Sequence, residues 1–347
     1  MRSTVLFGVV GLGVLGVATA EERGVRTTVA GSETQPAPVV LSSVKLGWPA
    51  DARLLMIHAD DLGMCHAANE AGKQGFADGR ITSGSIMMPC PWAYDFCMWA
   101  KDHPEYDIGL HITLTSEWKT YKWRPVLPPN EVPSLCDKNG FLWDDVVSVA
   151  LRGKPDEVER EIRAQVQRAL SWGVKPTHLD THMGTVFARP DFAEAYMKVA
   201  REFGITPFLI EPNPEFLAIA REHTVPLTPK LIETLRQYPS AKLDRFDYPH
   251  TDGSKSYEER KAQLMDQLRA LRPGITKIII HPSILTPELQ AITGSAKTRA
   301  WEFQVFADPE VRRLLKDEKI ELVGWKDLAK RRPIPPPTGT GLSTGPQ

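Results

Sequence analysis

The chain has 347 residues, of which 42% are hydrophobic, so it is long enough to form one large soluble domain with a buried core. Its 42 Lys and Arg residues balance 43 Asp and Glu residues, which leaves a formal net charge of -1. This balance excludes strong long-range attraction to nucleic acid or to an anionic membrane surface, and we predict no nucleic-acid partner.

Residues 1–20 have the pattern of a secretory signal peptide. Arg2 precedes an apolar, Gly-rich run over residues 5–17, and small residues at 18–20 stand before two acids. The run is shorter than the roughly 20 residues that a spanning helix needs. We therefore predict export to the periplasm or the extracellular space, with no stable membrane span after cleavage. An uncleaved membrane anchor is the alternative interpretation.

The cysteines are few and irregularly spaced, at Cys65, Cys90, Cys97 and Cys136. No CxxC pair is present, so a structural zinc knuckle is not indicated. In an oxidising compartment one disulfide, Cys90 to Cys97, is an alternative to four buried free thiols.

Short apolar runs alternate with helical patterns between residues 51 and 330. Strands are predicted over 53–58, 81–88, 108–112, 177–180, 207–210, 277–280 and 320–323. Helices are predicted over 67–78, 92–101, 156–172, 192–203, 257–271 and 311–315. Residues 21–50 lack periodicity and are predicted to be a linker or extended arm, and the Pro-rich residues 331–347 a disordered tail.

This alternation of strand and helix predicts a parallel sheet in an α/β fold. About seven repeats favour a single (β/α) barrel-like domain that resembles a TIM barrel and has seven or eight strands. A doubly wound open sheet is the alternative, but no GxGxxG follows its first strand, which removes the usual dinucleotide function. The segment 119–146 is rich in Pro and Trp and has no clear element, so it could form a lid.

Four of the predicted strands end in segments that contain acids or histidines. The segments are Asp60-Asp61, Gly109-Leu110-His111, Thr177-His178-Leu179-Asp180-Thr181-His182 and His281-Pro282. The carboxyl ends of parallel barrel strands meet on one face. Our hypothesis is that Asp61, His111 and His182 bind one divalent metal, since this set leaves coordination positions open for water and substrate. His178 and Asp180 share a face with His182 and are expected to lie deeper, where a carboxylate bonded to an imidazole orients it. Helix capping by the acids and a core position for His281 are the alternatives.

These segments resemble motifs of the YdjC-type carbohydrate deacetylases, the ChbG/HpnK-like group. The motifs are His58-Ala59-Asp60-Asp61-Leu62-Gly63, Ile81-Thr82-Ser83-Gly84-Ser85, Gly109-Leu110-His111-Ile112-Thr113-Leu114-Thr115, Pro176-Thr177-His178-Leu179-Asp180-Thr181-His182 and His281-Pro282-Ser283. The resemblance spans residues 53–325 and implies a barrel-like fold and metal-dependent removal of an N-acetyl group from an amino sugar or its oligomer.

Carried over residue by residue, the resemblance implies that Asp61, His111 and His182 are the metal ligands. It further implies that Asp60 is the catalytic base and His281 the acid. The expected cofactor is one divalent ion, Zn or Mg first, with Mn, Co or Ni as alternatives. The expected partner is an N-acetylated sugar or glycan, and a homodimer is left open.

The chain departs from the family pattern after His182. Relatives continue with further histidines, whereas this chain has Met183-Gly184, which puts the substrate in question more than the metal. Trp118, Trp123 and His58 are predicted to line the substrate cleft, because flat apolar rings stack on sugar faces. The alternative functions are a metal-dependent carbohydrate esterase or other hydrolase, and a non-catalytic glycan-binding relative.

Overall fold

Parallel strands supply the framework in the computed structural model, which describes residues 40–222, 225–247 and 254–335. The strands are β1 Arg53–Leu62, β2 Ser83–Ile86, β3 Ile108–Ile112, β4 His178–Thr181, β5 Thr206–Pro207, β6 Arg245–Asp247, β7 Gly274–Ile280 and β8 Glu321–Leu322. The predicted signal peptide, residues 21–39 of the predicted linker or arm and residues 336–347 of the predicted tail lie outside the described residues.

Thirteen α-helices lie within the described ranges. They are α1 Ser42–Lys45, α2 His66–Ala77, α3 Ala93–Asp102, α4 Val146–Arg152, α5 Pro155–Ser171, α6 Pro190–Phe203, α7 Pro214–Glu222, α8 Pro229–Gln237, α9 Tyr257–Arg269, α10 Pro287–Ile292, α11 Ala296–Val305, α12 Pro309–Asp317 and α13 Trp325–Arg331. Short 3-10 helices span Pro133–Leu135 and His182–Phe187. None of these helices is both long enough and apolar enough to cross a bilayer.

The sheet has the order β5-β4-β3-β2-β1-β7-β6, and β8 pairs with β1. All of these pairs are parallel, and an isolated parallel bridge from Ile210 to Leu243 links the chain after β5 with the chain before β6. The predicted barrel-like α/β domain with seven or eight strands is therefore confirmed. Because the strands are parallel, their carboxyl ends lie on one side of the domain.

The longest strands are largely apolar because they are covered on both faces. All seven residues of β7 are buried, as are nine of the ten in β1. Helix α5 turns Val158, Ile162 and Val166 toward the core at helical spacing. Its neighbour α6 ends at Phe203 and is capped by Gly204, whose φ of 65° is a left-handed conformation that glycine adopts without strain.

Seven helices and one strand were not predicted, namely α1, α4, α7, α8, α10, α11, α13 and β6. Helix α11 shows why, because its buried positions include Arg299 and Glu302 as well as Ala300 and Phe303. Charged side chains on the inner face interrupt the apolar spacing that identifies a helix in sequence.

The segment 119–146, for which a lid was one interpretation, is packed against the domain. Trp123, Val132 and Leu142 are buried, and Glu161 of α5 accepts hydrogen bonds from the backbone N–H groups of Val126 at 2.8 Å and Leu127 at 3.0 Å. These contacts anchor the segment to α5. The four cysteines are free and buried, so the disulfide alternative does not hold.

Residues 42–48 belong to the fold, although the sequence suggested a linker or arm over residues 21–50. The Asp244 carboxylate accepts hydrogen bonds from Ser42 N at 2.5 Å and Ser43 N at 3.1 Å, and it also accepts one from Ile275 N at 2.9 Å. Trp48 is buried in a cluster with β1 and β7 side chains. The N-terminal segment is thus tied to the sheet through one buried acid.

Replacement of Asp244 by alanine is expected to lower the free energy of unfolding by about 3 kcal/mol, because each buried N–H left without an acceptor costs roughly 1–3 kcal/mol. Urea unfolding of the variant measures this change. Asp51→Ala removes an exposed acid nearby and serves as the control. A loss below about 1 kcal/mol for Asp244→Ala would contradict the proposed anchoring.

Candidate active site

Both acids at the end of β1 reach the same imidazole. Successive side chains of a strand normally point to opposite faces. Asp61 has a φ of 60°, and the register of β1 with β2 shifts between Ala59 and Leu62. With alternation broken in this way, Asp60 Oδ2 and Asp61 Oδ1 each lie 3.6 Å from Nε2 of His111.

Asp61, His111 and His182 come together as the sequence predicted. Nδ1 of His182 lies 3.3 Å from Asp61 Oδ1, and potential ligand atoms of the three buried residues lie within 4.8 Å of one another. Asp61 Oδ1 is buried and has no hydrogen-bond partner among the described residues. The three side chains therefore converge on one unsatisfied oxygen.

The nitrogens of these two rings that face away from Asp61 are held by other side chains. Ser85 Oγ lies 3.1 Å from Nδ1 of His111, and Glu117 Oε2 lies 3.0 Å from Nε2 of His182. Such partners fix the orientation and the tautomer of a metal-binding histidine. The second carboxylate oxygen of Asp61 is also held, by Arg299 Nη1 at 2.8 Å.

The electrostatics of the cluster suit metal binding. Although burial opposes ionisation, Arg299 and His182 hold the pKa of Asp61 well below its usual range, so the acid is a carboxylate. Burial, and then the charge of His182, lower the pKa of His111 to about 3, which keeps that ring neutral. Burial opposes charge on His182, but Glu117 and Asp61 raise the pKa of His182 to about 10. Those two acids favour positive charge at this point.

One carboxylate and two imidazoles of this kind can hold a divalent ion. Two other groups of buried side chains have potential ligand atoms close enough together to hold a metal ion. They are His58 with His178 and Asp180, and Asp60 with His111 and Asp180. Both use Asp180, whose Oδ2 is already paired with the Lys277 ammonium group and lies 2.9 Å from His58 Nε2. The Asp61 group is therefore the best candidate metal centre.

Asp60 lies beside that centre and is held loosely. Its Oδ1 is buried, has no hydrogen-bond partner among the described residues, and lies 3.3 Å from Nε2 of His58. Burial, and then the negative charge of Asp180, raise the pKa of Asp60 to about 8. Its carboxylate is therefore a stronger proton acceptor than an ordinary aspartate.

His58 was predicted to line the substrate cleft, and this was wrong. The ring is fully buried and is hydrogen-bonded to Ser83 Oγ at 2.6 Å and Ser85 Oγ at 3.1 Å. It lies beneath the acids, where it can support Asp180 and Asp60 but cannot touch a sugar.

Asp180 and His178 lie deep in the site, as expected, and the imidazole that Asp180 contacts is that of His58. Asp180 contacts His58 and Lys277, and Lys277 Nζ lies 4.3 Å from the centre of the Phe208 ring. His178 instead hydrogen-bonds Thr177 Oγ1 at 2.8 Å. Its ring occupies the space that Gly109 leaves open, because a Cβ at Gly109 would lie 2.6 Å from both Cε1 and Nδ1 of the His178 ring.

His281 follows β7 and lies at the open side of the site. Its side chain is 28% exposed, and its Nδ1 lies 3.6 Å from Oε2 of Glu302. Burial opposes protonation, but the nearby Glu302 carboxylate raises the pKa of His281 above its ordinary value. A protonated ring with access to solvent can donate a proton to a bound molecule.

The two tryptophans differ in position. Trp123 is buried, with its Nε1–H donating to the Thr115 carbonyl at 2.8 Å, so the prediction that it binds substrate was wrong. Trp118 is partly buried, and its ring centre lies 5.6 Å from the Arg299 guanidinium carbon. Trp118 therefore lies next to the candidate metal centre, and its contact with substrate stays a prediction.

Comparison with known proteins bears on this site. A family model described as YdjC-like protein matches residues 54–317. The chain belongs to the YdjC-like family. A carbohydrate deacetylase of Thermus thermophilus is 34% identical over 76% of this chain and 89% of its own length, and one of Thermoanaerobacter pseudethanolicus is 26% identical over 80% and 99%.

Among solved structures, a cellobiose-phosphate cleavage protein of Enterococcus faecalis is similar to this YdjC-like chain with a TM-score of 0.65. The two are 23% identical, and the match covers 80% of this chain and 99% of that one. At this identity the likeness concerns the fold.

Sequence reasoning did not assign roles to Ser85, Glu117, Lys277, Arg299 or Glu302. The positions of Ser85 and Glu117 in the sequence could have indicated a role in the site, because Ser85 lies in the second motif and Glu117 follows β3 shortly after His111. The other three had no such indication, since a lone charged residue in a strand or helix looks like an exposed one.

Replacement of Glu117 by glutamine is expected to weaken metal binding by about 10- to 100-fold, the usual cost of losing a carboxylate behind a histidine ligand. Glutamine can still accept a hydrogen bond from His182 but carries no charge. Titration with Zn²⁺ measures the affinity. Glu105→Gln is the matched control, because it removes the same charge from an exposed Glu–His pair, where Glu105 Oε1 lies 3.1 Å from His103 Nδ1. Equal affinity in the Glu117 variant and the wild type would contradict this role.

Proposed function

We propose that this protein is a metal-dependent carbohydrate deacetylase that hydrolyses the N-acetyl group of an amino sugar or its oligomer. One observation carries the proposal. The Asp61, His111 and His182 cluster has Asp60 at its side, whose buried Oδ1 accepts no hydrogen bond from the described residues, and a solvent-accessible histidine, His281, near its opening. The names of the curated relatives agree with it.

The chemical difficulty of the reaction lies in the acetamide, whose resonance slows attack by water and whose amine leaves poorly. Asp61, His111 and His182 would hold a divalent ion, Zn or Mg first and Mn, Co or Ni as alternatives, and when bound it would lower the pKa of water and polarise a carbonyl. Two imidazoles are typical of Zn rather than Mg sites.

Two side chains of the protein carry out the proton transfers. Asp60 Oδ1 accepts the proton of the attacking water, because its raised pKa favours proton uptake. His281 donates a proton to the departing amine nitrogen, because Glu302 stabilises its charged form. Breaking the C–N bond then releases acetate and a free amino sugar.

The substrate is proposed to be an N-acetylated glycan outside the cytoplasm, supported by the predicted signal peptide and by Trp118 beside the metal centre. Met183 is also exposed next to His182. It would give the cleft an apolar side chain at the point of the chain where the family resemblance implies further histidines.

The function is tested by measuring metal content together with acetate release. Purified protein is screened over chitooligosaccharides, peptidoglycan fragments and N-acetylated glycolipids, with O-acetylated sugars in parallel. The proposal expects about one equivalent of metal and acetate release from an N-acetyl substrate. Release from O-acetyl sugars alone would support the esterase instead, and metal-independent release would contradict the mechanism.

A further inference from the structure

Helix α11 turns two buried charged residues toward the reaction centre. Arg299 and Glu302 are three residues apart, so they share one face of the helix. Their exposed fractions are 8% and 3%. Buried charges are costly unless they are paired, so their partners indicate what they do.

Arg299 attaches the helix to the metal side of the site. Its Nη1 lies 2.8 Å from Asp61 Oδ2, and its Nε donates to Ser295 Oγ at 3.2 Å. The helix is therefore ion-paired directly with a predicted ligand. Its position relative to the metal centre is set by a charged contact.

Glu302 attaches the same helix to the other side of the site. Its Oε2 accepts a hydrogen bond from the backbone N–H of His281 at 2.6 Å and lies 3.6 Å from the Nδ1 atom of that ring. Its Oε1 lies 3.5 Å from Nη2 of Arg260, a fully buried residue of α9. The carboxylate is thus held from behind and directed at His281.

We propose that Glu302 is a positioning residue that holds the His281 ring in place as the proton donor. Glu302 is itself anchored by Arg260, and the helix that carries it is ion-paired with Asp61 through Arg299. The inference rests on the proposed function, because it assumes that His281 donates a proton. If Glu302 served only to form a stabilising salt bridge with Arg260, it would also be buried, but its replacement would leave the pKa of His281 unchanged.

The charged groups that face His281 come from three elements. Glu302 and Arg299 lie on α11, Asp60 and Asp61 on β1, and Arg260 of α9 acts through Glu302. Glu302 raises the pKa of His281 and Arg299 lowers it. Loss of the Glu302 charge therefore lets His281 release its proton at lower pH.

The test variant is Glu302→Gln, which keeps an oxygen that can accept from the His281 N–H but removes the charge. We expect kcat to fall at least about tenfold, less than the loss of a whole acid catalyst, with KM little changed. The basic limb of the kcat–pH profile should move to lower pH. Glu302→Asp retains the charge at a shorter reach and should show an intermediate change in both quantities.

Lys297→Gln is the matched control, because it removes one charge from an exposed position of α11. An NMR titration of the His281 ring gives a second readout that does not need substrate. If the wild type releases no acetate but the titration midpoint falls in Glu302→Gln, the proposed function fails and the hold on His281 stands. A folded Glu302→Gln or Glu302→Asp protein with an unmoved pH limb and midpoint would overturn the inference.

Discussion

Replacement of Asp60 by asparagine should reduce the rate of acetate release by about 10²- to 10⁴-fold, the usual contribution of a general base. Asparagine has nearly the same shape, so the packing beside His58 and His111 should persist. The amide cannot take up the proton of an attacking water. Steady-state kinetics on the best substrate of the screen measures the loss.

The same variant should keep its metal, because Asp60 is not one of the three converging ligands. Elemental analysis of the purified variant checks this. Asp102→Asn, at an exposed position of α3, is the control for loss of one carboxylate. Near-full activity in Asp60→Asn would show that another group is the base.

Removal of either imidazole of the candidate metal centre should have the second large effect. In His111→Ala and His182→Ala, metal content after dialysis should fall from about one equivalent to a small fraction, since two protein ligands remain where three held the ion. Acetate release should fall with it. Far-UV circular dichroism should stay unchanged if the loss is local.

The control for these two variants is His66→Ala, because His66 is an exposed histidine at the start of α2, outside the cluster. Metal content unchanged from wild type in both His111→Ala and His182→Ala would exclude the proposed centre. Retained metal with lost activity would place these histidines in the reaction but not in metal binding.

The convergence of Asp61, His111 and His182 was predictable because it follows from the position of each residue relative to its own strand. Each residue stands at the carboxyl end of an apolar run, and the alternation of strands and helices makes those ends neighbours. The left-handed backbone of Asp61 was not predictable, since aspartate in a strand pattern reads as extended. That single turn places both acids beside the same imidazole.

The positions of Trp123 and His58 show where reasoning from sequence failed. Both stand near predicted site residues along the chain, yet both are buried and hydrogen-bonded within the domain. Side-chain exposure depends on what packs above a residue. In a segment without regular elements, such as 119–146, the sequence has no periodic pattern from which side-chain exposure can be predicted.

The sequence by itself determined the class of fold, the family and the residue types of the candidate metal centre, because apolar periodicity and strand-end motifs can be read along the chain. Only the tertiary structure decided how those residues are supported. The partners Glu117, Arg299 and Glu302 come from a loop and a helix whose contacts with the site depend on packing between distant segments. A charged side chain shows its role only when the group it faces is known, because its free energy depends on burial and on the distance to an opposite charge.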